Sequence, residues 1–475
     1  MTLSWLRRTG WAGVALAALL ICAAPVTAAT MFYVQGGGDG HGIGMSQYGA
    51  YGYAQHGKDY RWILAHYYTG TSIGTTDTSR TIRVLLASGS ASFSGASSAR
   101  GKKLNPASTY YVRALSNGGV ALLGAKGKTL AKFSSPVTVT GSGPLYVPGL
   151  GWYRGALQFR PDGAGGVETV NAIDLEDYVR GVISAEMPSG WLPEALKVQA
   201  VAARTYAITT SVNRGAFDVY SDTRSQMYRG VAAETASTNA AVAATRGQIV
   251  TYHGTPAITY FSASSGGWTE SIEDAWPGSS PAPWLKGVPD PYDNAGGNPY
   301  YHWTYSYTMA RAQAKLGRWV KGHVVGVQII TNGADPRMVS ANVVGTGGST
   351  RVSANSLESL FGLLSTYASF TTVTTLPGPG AQMARDAKPK ADRAVAALVP
   401  LVHNLVAGSM PGLHGTVFPG HAGDTLTVQL SSHGSWRTVA TGKVGSGGAY
   451  SVQVPGAGTY RVVYDGINGP SVGVS

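Results

Sequence analysis

One carboxylate, Glu186, stands in a short apolar stretch, "GVISAEMPSGW" (181–191), of a chain that is poor in charge. An apolar pocket raises the pKa of a carboxyl group, and a general acid that works near neutral pH requires this. We therefore predict that Glu186 is the catalytic residue. We also expect it to stand outside the helical pattern of the residues around it.

Two basic residues, Lys197 and Arg204, follow Glu186 at a spacing of seven residues. Seven residues make two helical turns, so both side chains share one face of a helix. On periodicity alone, a core helix with a solvated basic edge explains this pair. Because a cation within hydrogen-bond reach of Glu186 would lower its pKa, we assign Lys197 and Arg204 to substrate binding instead.

The elements that must position these residues follow from periodicity. Apolar residues at helical spacing predict a helical block from about Asp174 to Thr210, in which Pro193 suits a first helical turn. The segment from Lys58 to Gly70 predicts another helix, and further helical pieces are expected near 234–245 and 308–317. Short strands are expected elsewhere, so the predicted fold class is α+β, a strand-rich core with a few helices.

Composition and the positions of turn-forming residues predict four segments in this chain of 475 residues. Two arginines, an apolar run and a small-residue site indicate a signal peptide over 1–29, of the Sec or the twin-arginine type. Residues 30–375 form the main domain and 376–397 a linker. Alternating strands with Gly-rich turns over 398–475 predict a small, Ig-like β-sandwich. We therefore expect a secreted, cell wall-associated protein with no stable membrane span after cleavage.

Several segments resemble the SpoIID/LytB family of bacterial cell-wall proteins, which are linked to sporulation and to enhancement of amidases. The resemblance rests on "AEMPSGWLPEALKVQAVAARTYA" (185–207), on segments 221–230, 244–271 and 284–293, and on "GHGIGMSQYGAYGYAQHGKDYRWILAHYYTGT" (40–71). In the family the GHGxGMSQ element comes last, whereas here it comes first. The main domain is therefore identified as a circularly permuted member, and its fold should survive because chain termini often lie close together.

The resemblance implies a peptidoglycan lytic transglycosylase, with the family's catalytic Glu at Glu186 and its basic pair at Lys197 and Arg204. Most glycosidases need two carboxylates, but this chemistry needs one, which gives 1,6-anhydro-muramyl ends. Glu176, Asp177 and Glu194 leave a second acid possible in the same block. A peptide-stripped strand exposes a lactyl carboxylate, which an arginine fork such as that of Arg204 would bind.

Weaker candidates for substrate binding lie in the other segments that resemble the family. Each has a structural alternative, such as a strand-end pair at 226 and 228 or a turn histidine held by backbone at 41. These candidates are Gln226, Tyr228, Ser265, His41, Ser46 and Gln47.

We expect no cofactor and no metal. The chain has one cysteine, Cys22, inside the signal peptide, and His41, His56 and His66 have no recognised metal-ligand spacing. The net charge of +12 favours anionic wall polymers as partners rather than nucleic acid. The alternative to an enzyme is a glycan-binding modifier that assists a cell-wall amidase.

Overall fold

The computed structural model describes residues 29–212, 215–334, 336–378 and 411–474. The expected signal peptide over 1–29, with Cys22, and the expected linker over 376–397 lie almost wholly outside these residues. The chain divides into two compact units, Tyr33–Phe370 and Thr371–Ser475 together with Met1–Phe32.

Most helices of the described residues belong to the regions where helical periodicity is visible in the sequence. They are α1 (Gln47–Gln55), α2 (Tyr60–Tyr67), α3 (Leu175–Glu186), α4 (Pro193–Thr209), α5 (Ala236–Ala244), α6 (Ile272–Ala275), α7 (Met309–Leu316) and α8 (Ala354–Phe361).

The strands of the described residues are numerous and mostly short. They are β1 (Ala29–Gly36), β2 (Met45–Ser46), β3 (Ser72–Thr75), β4 (Thr81–Gly89), β5 (Ala91–Phe93), β6 (Ser98–Ala99), β7 (Lys102–Lys103), β8 (Tyr110–Ala114), β9 (Val120–Leu123), β10 (Thr129–Phe133), β11 (Val137–Thr140), β12 (Leu145–Val147), β13 (Gly151–Tyr153), β14 (Ala156–Pro161), β15 (Val167–Asp174), β16 (Val219–Tyr220), β17 (Gln248–Tyr252), β18 (Thr255–Pro256), β19 (Phe261–Ser262), β20 (Trp303–Thr308), β21 (Val324–Asn332), β22 (Met338–Gly345), β23 (Gly348–Ser353), β24 (Ala368–Pro377), β25 (Gly412–Phe418), β26 (Thr425–Ser432), β27 (Ser435–Lys443), β28 (Ala449–Gln453), β29 (Gly458–Tyr464) and β30 (Ile467–Val474). This mixture confirms the α+β class.

A seven-stranded sheet in the larger unit fixes the start of α3. Its strand order is β16-β4-β15-β14-β11-β6-β7. In β4 every second residue is buried, as expected for a strand with one face on the core. Strand β15 pairs antiparallel with β4 and runs directly into α3, since Asp174 ends the strand and precedes the helix.

The helical block expected from Asp174 to Thr210 consists of two helices. Helix α3 ends at Glu186 because Met187 adopts an extended conformation (φ −128°, ψ 144°), which the following Pro188 favours. Helix α4 begins at Pro193, and its small apolar residues Ala200, Ala203 and Ala207 are buried. These alanines allow α3, α1 and α2 to pack closely against α4.

A separate four-stranded antiparallel sheet in the same unit has the order β10-β9-β8-β5. Its inner face contributes Tyr110, Val112, Val120 and Leu122 to the core. Its outer face carries polar and charged side chains.

In the smaller unit, β24 pairs with β25 and β25 with β28, while a second sheet has the order β27-β26-β29-β30. The two sheets touch closely: a Cβ on Gly442 of β27 would lie 2.3 Å from Val452 Cγ2 of β28. Leu376 and Pro377, where the linker was expected to begin, still belong to β24.

Among the described residues, none of the helices has both the length and the apolar character that a membrane crossing needs.

Candidate active site around Glu186

Glu186 is the last residue of α3, so the expectation that it lies outside the helix is wrong. The helix continues to this position because the extended residue Met187, and not the glutamate, interrupts it. The side chain of Glu186 is half-buried, at the point where the chain leaves α3.

Two uncharged donors bind the carboxyl group of Glu186. The backbone N–H of Met227 donates to Oε1 at 2.6 Å, and Gln47 Nε2 donates to Oε2 at 3.2 Å. Gln47 Nε2 also lies 3.4 Å from Oε1 of Gln199, which is fully buried on α4. The site therefore brings together the end of α3, the loop at 221–230 and the start of α1.

The pKa of Glu186 is raised above its usual range. Burial is the dominant cause, because it penalises the charged form, whereas the hydrogen bonds from Met227 and Gln47 act in the opposite direction. The direction agrees with the prediction from the apolar setting of Glu186. A carboxyl group in this environment can hold a proton closer to neutral pH than an exposed glutamate can.

Arg204 is buried in an ion pair, and its contact with a substrate stays a prediction. Its side chain has no exposed surface and binds Glu176 through two bonds, Nε to Oε1 at 2.9 Å and Nη2 to Oε2 at 2.8 Å. Arg204 Nη1 donates to the carbonyl of Gln248 at 3.0 Å, and the N–H of Gly247 donates to Glu176 Oε1 at 3.1 Å. This pair fixes α4 to α3 and to the start of β17.

Lys197 is also in an ion pair, but at the surface. Its Nζ lies 2.6 Å from Glu194 Oε1, one turn earlier on α4, and 25% of its side chain is exposed. Glu194 Oε2 accepts the N–H of Tyr60, which fixes the start of α2 to this turn. Lys197 thus has a structural partner, and its contact with substrate stays a prediction.

Gln226 and Tyr228 were expected to contact sugars; both side chains are buried, and this contact stays a prediction. Gln226 donates to the carbonyl of Ala203 at 3.2 Å, and Tyr228 donates to Asn171 Oδ1 at 2.6 Å. These anchors lie on either side of Met227 and hold its N–H against Glu186. The structure therefore supports a structural role for Gln226 and Tyr228.

Ser265 and Ser46 are also buried, and their expected contact with substrate stays a prediction. Ser265 Oγ donates to Asp290 Oδ2 at 2.8 Å, and Ser46 Oγ donates to Asp293 Oδ1. Ser46 is in addition the N-cap of α1, where it accepts the N–H of Gly49. The two serines hold the segment before Gln47 and the 262–270 segment together.

The buried carboxylates Asp290 and Asp293 were not identified from the sequence as site residues. Burial and the neighbouring Asp293 raise the pKa of Asp290 to about 8. Tyr67 donates to Asp290 Oδ1 at 2.9 Å, and Ser264 donates to Asp293 Oδ2 at 2.6 Å. The sequence did not indicate this cluster, because the serine partners Ser265 and Ser264 are distant from these two aspartates in the chain.

His41 is held by its own turn, which is the structural alternative to lining the cleft. Its Nδ1 accepts the N–H of Ile43 at 2.9 Å, and its ring contacts Trp276 and Tyr260 edge-on. Burial and the charge of Arg337 lower the pKa of His41 to about 4. Gln47, by contrast, is nearly buried and reaches Glu186 itself, so its expected contact with substrate becomes a contact with the catalytic candidate.

The segment that carries the GHGIGMSQ element lies against residues 364–367, as expected. Gly37 N–H donates to the carbonyl of Tyr367 at 3.0 Å, and Gly40 N–H donates to that of Leu364 at 2.8 Å. Gln47, the last residue of this element, contacts Glu186.

An aromatic cluster beside the site was missed. Tyr51 stacks on Trp191 with ring centroids 4.6 Å apart, and Tyr48 contacts Trp191 edge-on at 5.0 Å. All three rings are half-buried, and Tyr48 directly follows Gln47. The signal was present in the sequence, since Tyr48 and Tyr51 have the i, i+3 spacing of one helix face.

A family model described as "SpoIID: Stage II sporulation protein" matches residues 163–252, which include α3, α4 and the Met227 loop. Stage II sporulation protein D of Bacillus subtilis is 38% identical over 167 residues, which cover 32% of this chain and 48% of that protein. Stage II sporulation protein D of Bacillus amyloliquefaciens is 34% identical over 196 residues, or 37% and 55% of the two chains.

The amidase enhancer of Bacillus subtilis is 36% identical over 137 residues, which cover 29% of this chain and 18% of that protein. The chain spans about half the length of the two stage II sporulation proteins that it matches. No solved structure matches the chain.

Proposed function

Because residues 163–252 match the SpoIID family model, we propose that the protein is a lytic transglycosylase that cleaves peptidoglycan glycan strands. Glu186 is the single general acid and base of this reaction. The observation that carries the proposal is the half-buried carboxyl group of Glu186, whose pKa is raised and whose two donors, Met227 N–H and Gln47 Nε2, are uncharged.

A single-carboxylate reaction is supported by the state of the other acids in the block. Glu176 binds Arg204, Glu194 binds Lys197, and Asp177 Oδ1 binds Arg180 at 2.8 Å. The carboxyl oxygens of these three residues are engaged by a base, so none of them is placed to deliver water as the second carboxylate of a glycosidase does.

The two oxygens of Glu186 have different roles. Oε1 faces a fixed backbone N–H that cannot turn away, so Oε2 carries the proton. Oε2 protonates the glycosidic oxygen as the bond from that oxygen to C1 breaks. The C6 hydroxyl of the same muramyl sugar then attacks C1, and its proton returns to Oε2. The product is a 1,6-anhydro ring, and no water is consumed.

The aromatic cluster of Tyr48, Tyr51 and Trp191 provides the apolar faces on which sugar rings stack. Because Arg204 is buried, it is not placed to bind a lactyl carboxylate. The preference for peptide-stripped strands rests on the family resemblance, and Lys197 remains the proposed cation for this contact.

The second candidate function is a glycan-binding modifier that assists a cell-wall amidase. The similarity to a protein named amidase enhancer favours it. In that case the same cleft holds glycan without cleaving it, and export through the expected signal peptide serves both functions.

Mass spectrometry of peptide-stripped glycan incubated with the protein separates these functions. Anhydro-muramyl ends support the transglycosylase, and reducing ends indicate a hydrolase. Unchanged strands that bind the protein support the modifier and contradict the enzymatic proposal.

A further inference from the structure

The positive charge of the chain is concentrated in one region. From residue 78 to residue 161 the sequence contains no Asp or Glu, but it contains eleven basic residues. Three of these bases pair with acids from outside the region: Arg83 with Asp218, Arg154 with Glu234 and Arg160 with Glu168. The others include seven exposed bases in the segment that forms β5 to β10: Arg100, Lys102, Lys103, Arg113, Lys126, Lys128 and Lys132.

None of these seven bases has an ion-pair partner within the described part of the chain. Pairing with neighbouring acids is how a surface base is usually neutralised, and here no acid is present in the segment to do so. The segment also lies before residue 163, where the match to the family model begins. Its charge is therefore separate from the matched residues around Glu186.

The β-sheet register places two of these bases on one row of the outer face. Arg113 of β8 and Lys132 of β10 both lie opposite Ala121 of the central strand β9. Residues directly opposite in a sheet point to the same side, and the two bases are about 10 Å apart because they are two strands apart. Tyr111, two residues before Arg113 and 47% exposed, lies on the same face.

The other bases extend this surface at both ends of the sheet. Arg100 Nη1 donates to the carbonyl of Ser134 at 3.3 Å, just after β10, and this places the β6–β7 turn with Lys102 and Lys103 beside the sheet. Lys126 and Lys128 lie in the turn between β9 and β10. These seven bases around the outer side of the sheet form the basic face.

We propose that the basic face binds an anionic wall polymer whose repeating units are joined by phosphodiesters. Several unpaired bases of one sign raise the local electrostatic potential, which attracts a polyanion most strongly at low salt. Five of the seven bases are lysines, whose mobile point charges suit the phosphates of a flexible chain. The inference goes beyond the proposed function and does not rest on Glu186.

Nucleic acid fits this surface less well. Proteins that bind single strands stack successive bases on several aromatic side chains, whereas in the four strands of this sheet Tyr111 is the one strongly exposed aromatic ring; the exposed Trp152 belongs to β13.

The test compares two charge variants of the mature protein with the wild type. Arg113→Gln/Lys132→Gln removes two charges from the basic face. Arg311→Gln/Lys321→Gln removes one Arg and one Lys, also exposed, from outside it, so both variants have the same net charge. The probe is soluble poly(glycerol phosphate), with an uncharged polysaccharide of similar length and a single-stranded oligonucleotide as references.

We expect the basic-face variant to bind the phosphate polymer about tenfold more weakly at low salt, the control variant to bind nearly as the wild type does, and salt to weaken wild-type binding. Both variants should still cleave glycan, which separates this test from that of the proposed function. The proposal is overturned by equal losses in the two variants, by no binding of the polymer to the wild type, or by tighter binding of the oligonucleotide.

Discussion

At the scale of single residues, the proton of Glu186 is controlled by two neighbours that carry no charge. Met227 N–H engages Oε1, and Gln47 engages Oε2 and also contacts Gln199. An arginine or lysine in either place would lower the pKa and hold the carboxylate ionised. The two donors orient the carboxyl group of Glu186, and burial remains the dominant influence on its pKa, which it raises.

Glu186→Gln should lower the rate of glycan cleavage by about 10²-fold or more while glycan binding is retained, because the shape is kept and the proton donor is lost. The measurement is kcat on peptide-stripped glycan together with a binding titration. Asp177→Asn on the same helix is the matched control, since Asp177 is partly exposed and pairs with Arg180, and it should leave kcat nearly unchanged. A folded, fully active Glu186→Gln protein would remove Glu186 from the reaction.

Gln47→Leu should move the alkaline limb of the pH profile of kcat/KM to higher pH. The Gln47 hydrogen bond lowers the pKa of Glu186, so its removal raises that pKa further, and the acid stays protonated to a higher pH. Gln199→Leu is the control, because it leaves the bond between Gln47 and Glu186 in place and should not move the limb. An unchanged limb in Gln47→Leu would mean that Gln47 does not act on the titrating group.

At the scale of elements, the helices and strands with regular periodicity could be predicted from the sequence. Helices α2, α4, α5 and α7 lie within the regions where helical periodicity predicted them, and short strands occupy most of the rest. Helix α1 was not predicted, because Gly49 and Gly52 are poor helix formers. They are needed there: a Cβ on Gly49 would lie 2.2 Å from Asp290 Oδ2, and one on Gly52 2.2 Å from the carbonyl oxygen of Tyr292.

Within the candidate site, too, features that are local in sequence could be predicted and contacts between distant residues could not. Glu186 could be predicted, because its apolar setting is local in sequence. The role of Arg204 could not, since its partner Glu176 lies on another helix, 28 residues earlier. The spacing from Lys197 to Arg204 predicts that both lie on one face of a helix, but it does not predict which residues pack against that face.

Arg204→Met should destabilise the protein by about 3–5 kcal/mol, because it leaves the buried carboxylate of Glu176 without its partner. Urea unfolding measures this loss. Lys197→Met breaks a partly exposed pair and should change the stability by no more than about 1 kcal/mol. If the Arg204→Met protein is stable but no longer binds glycan, Arg204 binds the substrate instead of holding the fold.

At the scale of the whole molecule, the proposed circular permutation requires the first and last parts of the larger unit to be neighbours. The hydrogen bonds from Gly37 and Gly40 to residues 367 and 364 join the first and last parts of the larger unit. A circular permutation needs only that the old ends be close, and these contacts support that proposal.

A rearranged version of residues 33–370 tests the permutation. A short linker joins Phe370 to Tyr33, and the new ends lie in the turn between β3 and β4, where Asp77 and Ser79 are exposed. We expect this chain to fold and to cleave glycan with the same dependence on Glu186, because the packing around the site is unchanged. Loss of folding, measured by thermal unfolding, would show that the present segment order is required.

The central claim is that one carboxyl group transfers a proton while the sugar's own C6 hydroxyl attacks C1. Cleavage of peptide-stripped glycan in water labelled with heavy oxygen, followed by mass spectrometry of the new ends, tests it most directly. We predict anhydro-muramyl ends that carry no heavy oxygen, and no such ends with Glu186→Gln. New reducing ends that each contain one heavy oxygen atom would contradict the account, because they would show that water attacks C1.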